Sequence, residues 1–289
     1  MKWQGARRGG NIEDRRGMSG GQKLTLGGIG GIVVLLISFL LGGDPAQLLQ
    51  QVQESGIGTP TNEQGTYASS PEEDKLVDYA DVVIKSTEEV WTAIFKDNGK
   101  KYPIPALVLY NGATETAGCG VGKSQFGPFY CPGDQKIYLD LSFNKELQER
   151  YGAKGEFALA YVIAHEVGHH IQNLLGVLSE TNALRAKMSE KQYNKISVMT
   201  ELQADFYAGV WAHHLKKYSD IELTYDDIVD GMRAAAAVGD DHLQEQAYGK
   251  TNPESFTHGT SQQRMYWFKK GYDTGNLQAG NTFDDPSLK

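Results

Sequence analysis

The chain has 289 residues, 40% apolar and 22% charged, with a formal net charge of −8. That balance excludes a nucleic-acid-binding protein, which needs a basic face, and the length allows one or two domains with a well-buried core. Two cysteines, Cys119 and Cys131, exclude a structural four-cysteine zinc site.

Residues 1–23 hold six basic side chains (Lys2, Arg7, Arg8, Arg15, Arg16, Lys23) against two acidic ones, Glu13 and Asp14. This segment reads as a basic cytoplasmic head. Residues 24–43 carry no charge. As a helix rising about 1.5 Å per residue they would cover a hydrocarbon layer of about 30 Å. The stretch is long for a signal-peptide core and no small-x-small cleavage site follows, so it reads as one transmembrane anchor. The basic side of the anchor then stays inside. Everything after residue 43 is expected in the periplasm or outside the cell, attached to the cytoplasmic membrane of a bacterium. Residues 44–71, rich in Gln, Gly, Ser, Thr and Pro, read as a tether. The remaining 72–289 form the predicted catalytic domain.

Within that domain, Leu76, Tyr79, Val83, Val90, Trp91, Ile94 and Phe95 recur at helical spacing, which predicts a helix ending near Asn98–Gly99. Residues 105–110 predict a strand closed by Asn111–Gly112. Residues 127–130 and 136–140 flank Pro132-Gly133-Asp134 and read as a hairpin. In an oxidising compartment Cys119 and Cys131 form a disulfide; the alternative is two reduced thiols packed together. After Asp140 the pattern is almost entirely helical. A small sheet before a helical body predicts an α+β domain.

Residues 155–175 predict a buried helix whose apolar approach ends in His165-Glu166-Val167-Gly168-His169-His170. Positions i and i+4 stack on one helix face, so His165 and His169 present two imidazoles to one metal. Glu166 stands beside them, where a carboxylate can take a proton from an activated water. Gly168 leaves room for a second segment to approach. Gln172 and Leu175 occupy positions that would be Gly and His in the longer HExxHxxGxxH pattern, so a third ligand must come from elsewhere.

A second helix, about 191–218, carries Glu201 and Asp205 at i,i+4 inside an apolar segment. Two carboxylates on such a stripe are costly unless paired or bound to metal. Glu201 is assigned as third ligand of one Zn²⁺ per chain. Asp205 is assigned as the acceptor that fixes a ligand histidine's tautomer; a solvent-facing carboxylate pair is the alternative. For the oxyanion, His258, Arg264, Tyr207 and Tyr266 are the possible donors, with His258 carried forward as a catalytic residue. Thr260 to Gln263 reads as a capping box opening a helix through Trp267. His170, His213 and His214 read as surface residues, and Asp240–Asp241 as a turn.

The HEVGHH helix, the Glu201-Leu202-Gln203-Ala204-Asp205 helix and the segments 237–241 and 256–261 together resemble the bacterial family described as "putative neutral zinc metallopeptidase". So do the openings Lys2-Trp3-Gln4-Gly5 and Asn11-Ile12-Glu13-Asp14-Arg15-Arg16-Gly17. The resemblance spans nearly the whole chain apart from the tether. It implies a zincin-like domain with two His and one Glu on zinc, acting on peptide or protein substrates. One departure is Phe206, where these proteins often carry Cys. By analogy with zincins, residues 136–140 are expected to form the edge strand offered to a peptide. The competing reading is a metal-stabilised interaction module without proteolysis, which would have no need of Glu166.

Overall fold

The computed structural model describes residues 1–17, 67–150, 152–153 and 155–289. The predicted anchor at 24–43 and most of the tether lie outside the described residues. Among the described residues no helix is long and apolar enough to cross a membrane.

A small mixed sheet and a helical body share one core. The strands are β1 (Ile12–Asp14), β2 (Ala106–Tyr110), β3 (Ala113–Glu115), β4 (Val121–Lys123), β5 (Phe129–Cys131) and β6 (Lys136–Asp140). The main sheet runs β1-β2-β6-β5, parallel except for β5, and β3 pairs with β4 alone. Alternation along the central strands divides their side chains between two layers. Leu107, Leu109, Ile137 and Leu139 join the helical core, whereas Val108, Tyr110, Tyr138 and Cys131 form a smaller cluster with Phe129. The Cys119–Cys131 disulfide ties the β3–β4 turn to β5.

The helices are α1 (Pro71–Asp97), α2 (Phe143–Glu149), α3 (Phe157–Leu174), α4 (Val177–Arg185), α5 (Glu190–Tyr218), α6 (Tyr225–Ala237), α7 (Asp240–Tyr248) and α8 (Ser261–Thr274). Their starts follow local chemistry. Ser70 accepts from the Glu73 amide before Pro71, and Ser189–Gln192 and Thr260–Gln263 form capping boxes. The last of these opens a helix that continues two turns past Trp267, because Phe268 and Gly271 remain buried.

Three helices position the site: α3, α5 and α8. Where α3 crosses α5, a Cβ on Gly168 would sit 2.7 Å from the Ala204 carbonyl oxygen. Where α5 crosses α8, Cβ atoms on Gly209 and Gly271 would lie 2.0 Å and 2.1 Å from the carbonyl oxygens of Phe268 and Phe206. Only glycine allows such backbone approach. Trp91, Phe157, Phe206, Trp211 and Phe268 pack around these crossings with no more than 2% exposure, each contributing roughly 1.5–3 kcal/mol of burial.

The first seventeen residues overturn the expected boundary of the domain at residue 72. Trp3 is buried edge-to-face on Tyr79, with centroids 5.2 Å apart, and Ile12, Glu13 and Asp14 pair in register with Leu107, Val108 and Leu109. Lys2 pairs with Glu222, Arg7 with Asp220 and Glu89, Arg8 with Asp78, Arg15 with Glu13, and Arg16 with Asp14 and Glu73. Lys2, Arg7, Arg8 and Arg16 are thus partners of the body's acidic surface. A three-residue strand with two charged members has too little hydrophobic pattern to be legible in isolation.

Candidate active site

Helix α3 enters the core through Phe157, Ala158, Leu159 and Ala160, all buried, and this apolar packing fixes its rotation. His165 and His169 follow one turn apart with ring centroids 4.8 Å from each other. Glu201, carried by α5 across the Gly168 contact, reaches both. Its Oε2 lies 3.2 Å from His165 Nε2 and its Oε1 3.5 Å from His169 Nε2. The three ligand atoms fall within 4.8 Å of one another. Tetrahedral zinc with bonds of 2.0–2.1 Å requires neighbouring donors about 3.3 Å apart, so this donor set fits the ion in chemistry and spacing.

Behind the ligands lies a buried polar layer. Asp205 accepts from His165 Nδ1 at 2.8 Å and receives a two-pronged contact from Arg264, Nε at 2.8 Å and Nη2 at 3.0 Å. Tyr161 donates its hydroxyl to the same carboxylate. A fully buried Asp would be costly alone; here every oxygen is satisfied and a cation stands against it. Because Asp205 can only accept, His165 keeps a proton on Nδ1, and Nε2, facing Glu201, is the nitrogen that would lose its proton to bind a cation.

His169 is oriented by a different device. Gln172 gives its amide hydrogens to the Thr200 carbonyl at 2.7 Å and to Gln203 Oε1 at 3.0 Å. Its Oε1 therefore faces His169 Nδ1, 2.9 Å away, and fixes that tautomer as well. Gln203 in turn donates to the Gly280 carbonyl at 3.0 Å, so the C-terminal segment braces the second ligand.

The electrostatics call for a positive charge between these groups. Burial opposes charging of His165, but the Asp205 charge and hydrogen bond, with Glu201, outweigh it and push its pKa up to about 10. His169 is also raised against burial by Glu201, whose own carboxyl, despite burial, is held well below the usual range by His169 and His165. A divalent cation satisfies the same demand.

The cluster opens on a cavity of about 580 Å³. Glu166 lines it, buried beside His169, and so does His258. The His258 loop is built on Asp240, which accepts from the backbone amides of Thr257, His258 and Gly259 at 2.7, 2.6 and 3.0 Å and from His258 Nδ1 at 3.2 Å. Asp240 is thus a bracket for His258 and opens α7. Phe129, Phe143, Val162 and Leu178 give the cavity apolar walls.

Several expectations change. Residues 136–140 are not the edge strand, since β6 is paired on both sides, with β2 and with β5; the edge on the cavity side is β5. His170 is fully buried on the opposite face of α3, bonded to Tyr130 Oη at 2.9 Å and the Pro103 carbonyl at 2.7 Å. Arg264 borders the cavity, but its guanidinium is committed to Asp205, Tyr161 and the Val238 carbonyl. Tyr207 is buried on Trp91, and Tyr266 lies exposed on α8; neither lines the cavity. The roles of Gln172, Tyr161 and Asp240 escaped the sequence reading, and Asp240, expected in a turn, instead opens a helix and holds the His258 loop. Gln172 had a signal, one helical turn after His169, whereas nothing in the chain connects Asp240 to His258.

The family model described as "Putative neutral zinc metallopeptidase" matches residues 1–283, and the chain belongs to that family. Among its relatives are the uncharacterized protein YpfJ of Escherichia coli K12, 43% identical over 98% of this chain and 99% of its own length. The uncharacterized protein Rv2575 of Mycobacterium tuberculosis is 43% identical over 70% of this chain and 69% of its own. No solved structure matches the chain.

Proposed function

We propose that this protein is a zinc-dependent endopeptidase with Glu166 as general base, working at a bacterial cytoplasmic membrane on its oxidising side, where the Cys119–Cys131 bridge is stable. The observation that carries the reading is Glu166 in the cavity wall beside a His165, His169 and Glu201 cluster of zinc spacing.

Zinc held by those three residues would supply Lewis acidity, polarising the scissile carbonyl and acidifying a water towards about pKa 7. Glu166 takes the proton of the attacking water and delivers it to the departing amine. His258, oriented by Asp240, donates to the developing oxyanion. The free edge of β5 pairs with the backbone of an extended peptide, and the apolar walls receive its side chains.

The test is zinc content and peptide hydrolysis of the full chain beside Glu166→Gln. One zinc per chain in both is expected, with hydrolysis reduced by about 10³-fold or more in the variant. Zinc in both without cleavage of a broad peptide library by the native chain would favour a metal-stabilised interaction module. No stoichiometric zinc in either would remove the metal-site assignment.

A further inference from the structure

The ligand cluster and Glu166 are recessed. His165 and Glu166 each keep 7% of their surface exposed, and the side chains of His169 and Glu201 keep 15% and 17%, yet all four line the cavity. Groups so recessed are reached through that cavity. The flank of a folded protein is too broad to enter a space of about 580 Å³, whereas a single extended chain is narrow, since paired strands lie only about 4.8 Å apart.

The sheet side of the cavity suits one short segment of that kind. Among the described residues β5 ends its sheet, and Pro128 and Pro132 bracket its three residues. Proline has no N–H to give to a ladder, so pairing along this edge is confined to about 10 Å. Both prolines line the cavity as well.

Beside the cluster the walls are apolar. Val162 stands three positions before His165 and four before Glu166, on the same face of α3, so it lies about one turn, or about 5.4 Å, from them. It lines the cavity together with Phe143 at the start of α2, which packs on α3, and with Leu178 on α4. All three are otherwise buried. At the rim Phe126, 65% exposed, carries the apolar surface outward. An ionised side chain laid against these four residues would lose water and gain no counter-charge from them.

We propose that the cleft takes extended segments of unfolded polypeptide and selects a large apolar side chain next to the bond to be cut, with Val162 setting that choice. Large apolar side chains are mostly buried in folded proteins. The substrate class is therefore protein that has lost its fold or has not reached it. The inference rests on the peptide lying along β5 as in the peptidase reading, although selection precedes hydrolysis and is measured without it.

Binding is measured first, on the full-length Glu166→Gln chain in the presence of zinc. Short fluorescent peptides of Gly and Ser, each with one central Leu, Phe, Ala, Asp or Lys, are titrated against it. The Leu and Phe peptides are expected to bind at least about tenfold tighter than the Asp and Lys peptides, the discrimination that an apolar pocket gives. Val162→Thr in the same background keeps the shape of the wall and adds a hydroxyl, and should narrow the Leu-to-Asp ratio about three- to tenfold. A ratio is unmoved by any fraction of misfolded chain. The native chain is then given one disulfide-bonded globular protein, folded and after reduction and alkylation. Cuts are expected beside large apolar residues of the unfolded form, with the folded form at least about tenfold slower. Equal binding of all the peptides, or none, overturns the proposal, and an unchanged ratio in Val162→Thr overturns the role of Val162. Equal cutting of the two protein forms overturns the substrate class. Selective binding without cutting by the native chain would remove the peptidase reading and leave the selection standing.

Discussion

His169 and His170 are adjacent in the chain, and helix α3 turns them to opposite sides of itself. His169 faces Glu201 and the cavity, and its pKa is raised even though burial opposes its charge. His170 faces Tyr102, Tyr130 and the Pro103 carbonyl, with no carboxylate bonded to it, and burial lowers its pKa. The same side chain is a candidate metal ligand on one face and a core residue on the other. Residue type supplies the capability; the charges brought to it by α5 decide its use.

The sharpest way to break that contrast is to remove the charge behind the ligand face. Asp205→Asn should lower zinc affinity about 10–100-fold, because His165 loses the acceptor that fixes its tautomer and raises its basicity. Competition with a chelator measures it, with a melting curve to confirm folding, since Arg264 loses its partner. An unchanged affinity would mean that the layer behind His165 is structural only.

Acidity tests the same face without mutation. His165, with its pKa near 10 in the metal-free chain, must give up a proton when zinc binds. Apparent affinity is then expected to climb about tenfold per pH unit for each proton displaced, across neutral pH. The metal-free fold gains stability from this raised group below the unfolded value near 6.5 and loses it as pH rises through about 10. Calorimetry in buffers of different ionisation heat counts the protons; a count of zero at pH 7 contradicts the charge balance described here.

Gln172→Leu is a smaller perturbation. It removes the acceptor at His169 Nδ1 while sparing all ligand atoms, and about a tenfold loss of zinc affinity is expected. An equal loss on replacing Asp205 and Gln172 would show that hydrogen bonding, and not charge, sets the ligands' basicity. His170→Phe should leave zinc affinity unchanged and reduce stability by about 1–3 kcal/mol, because the Tyr130 O–H loses its acceptor, although its oxygen still accepts from Asn173, and the Pro103 carbonyl loses its donor. Any shift in metal binding there would dissolve the distinction between the two faces.

Local pattern carried much of this protein into view. The i,i+4 histidines with their neighbouring Glu166, the i,i+4 pair Glu201 and Asp205, the capping box at Thr260 and the hairpin around Pro132–Gly133 are set by helical and strand periodicity, which depends only on residues a few positions apart. From them a metal-site reading could be stated before any fold was known. What the chain alone could not decide are the pairings across long separations. These are the seat of β1 on β2, the choice of β5 over β6 as the open edge, the burial of His170, and the meeting of Asp240 with His258. Each depends on which face of an element a distant segment covers. That follows from the packing of α3, α5 and α8 around one core, because close approach at Gly168, Gly209 and Gly271 selects the partners, and no residue-by-residue pattern encodes it.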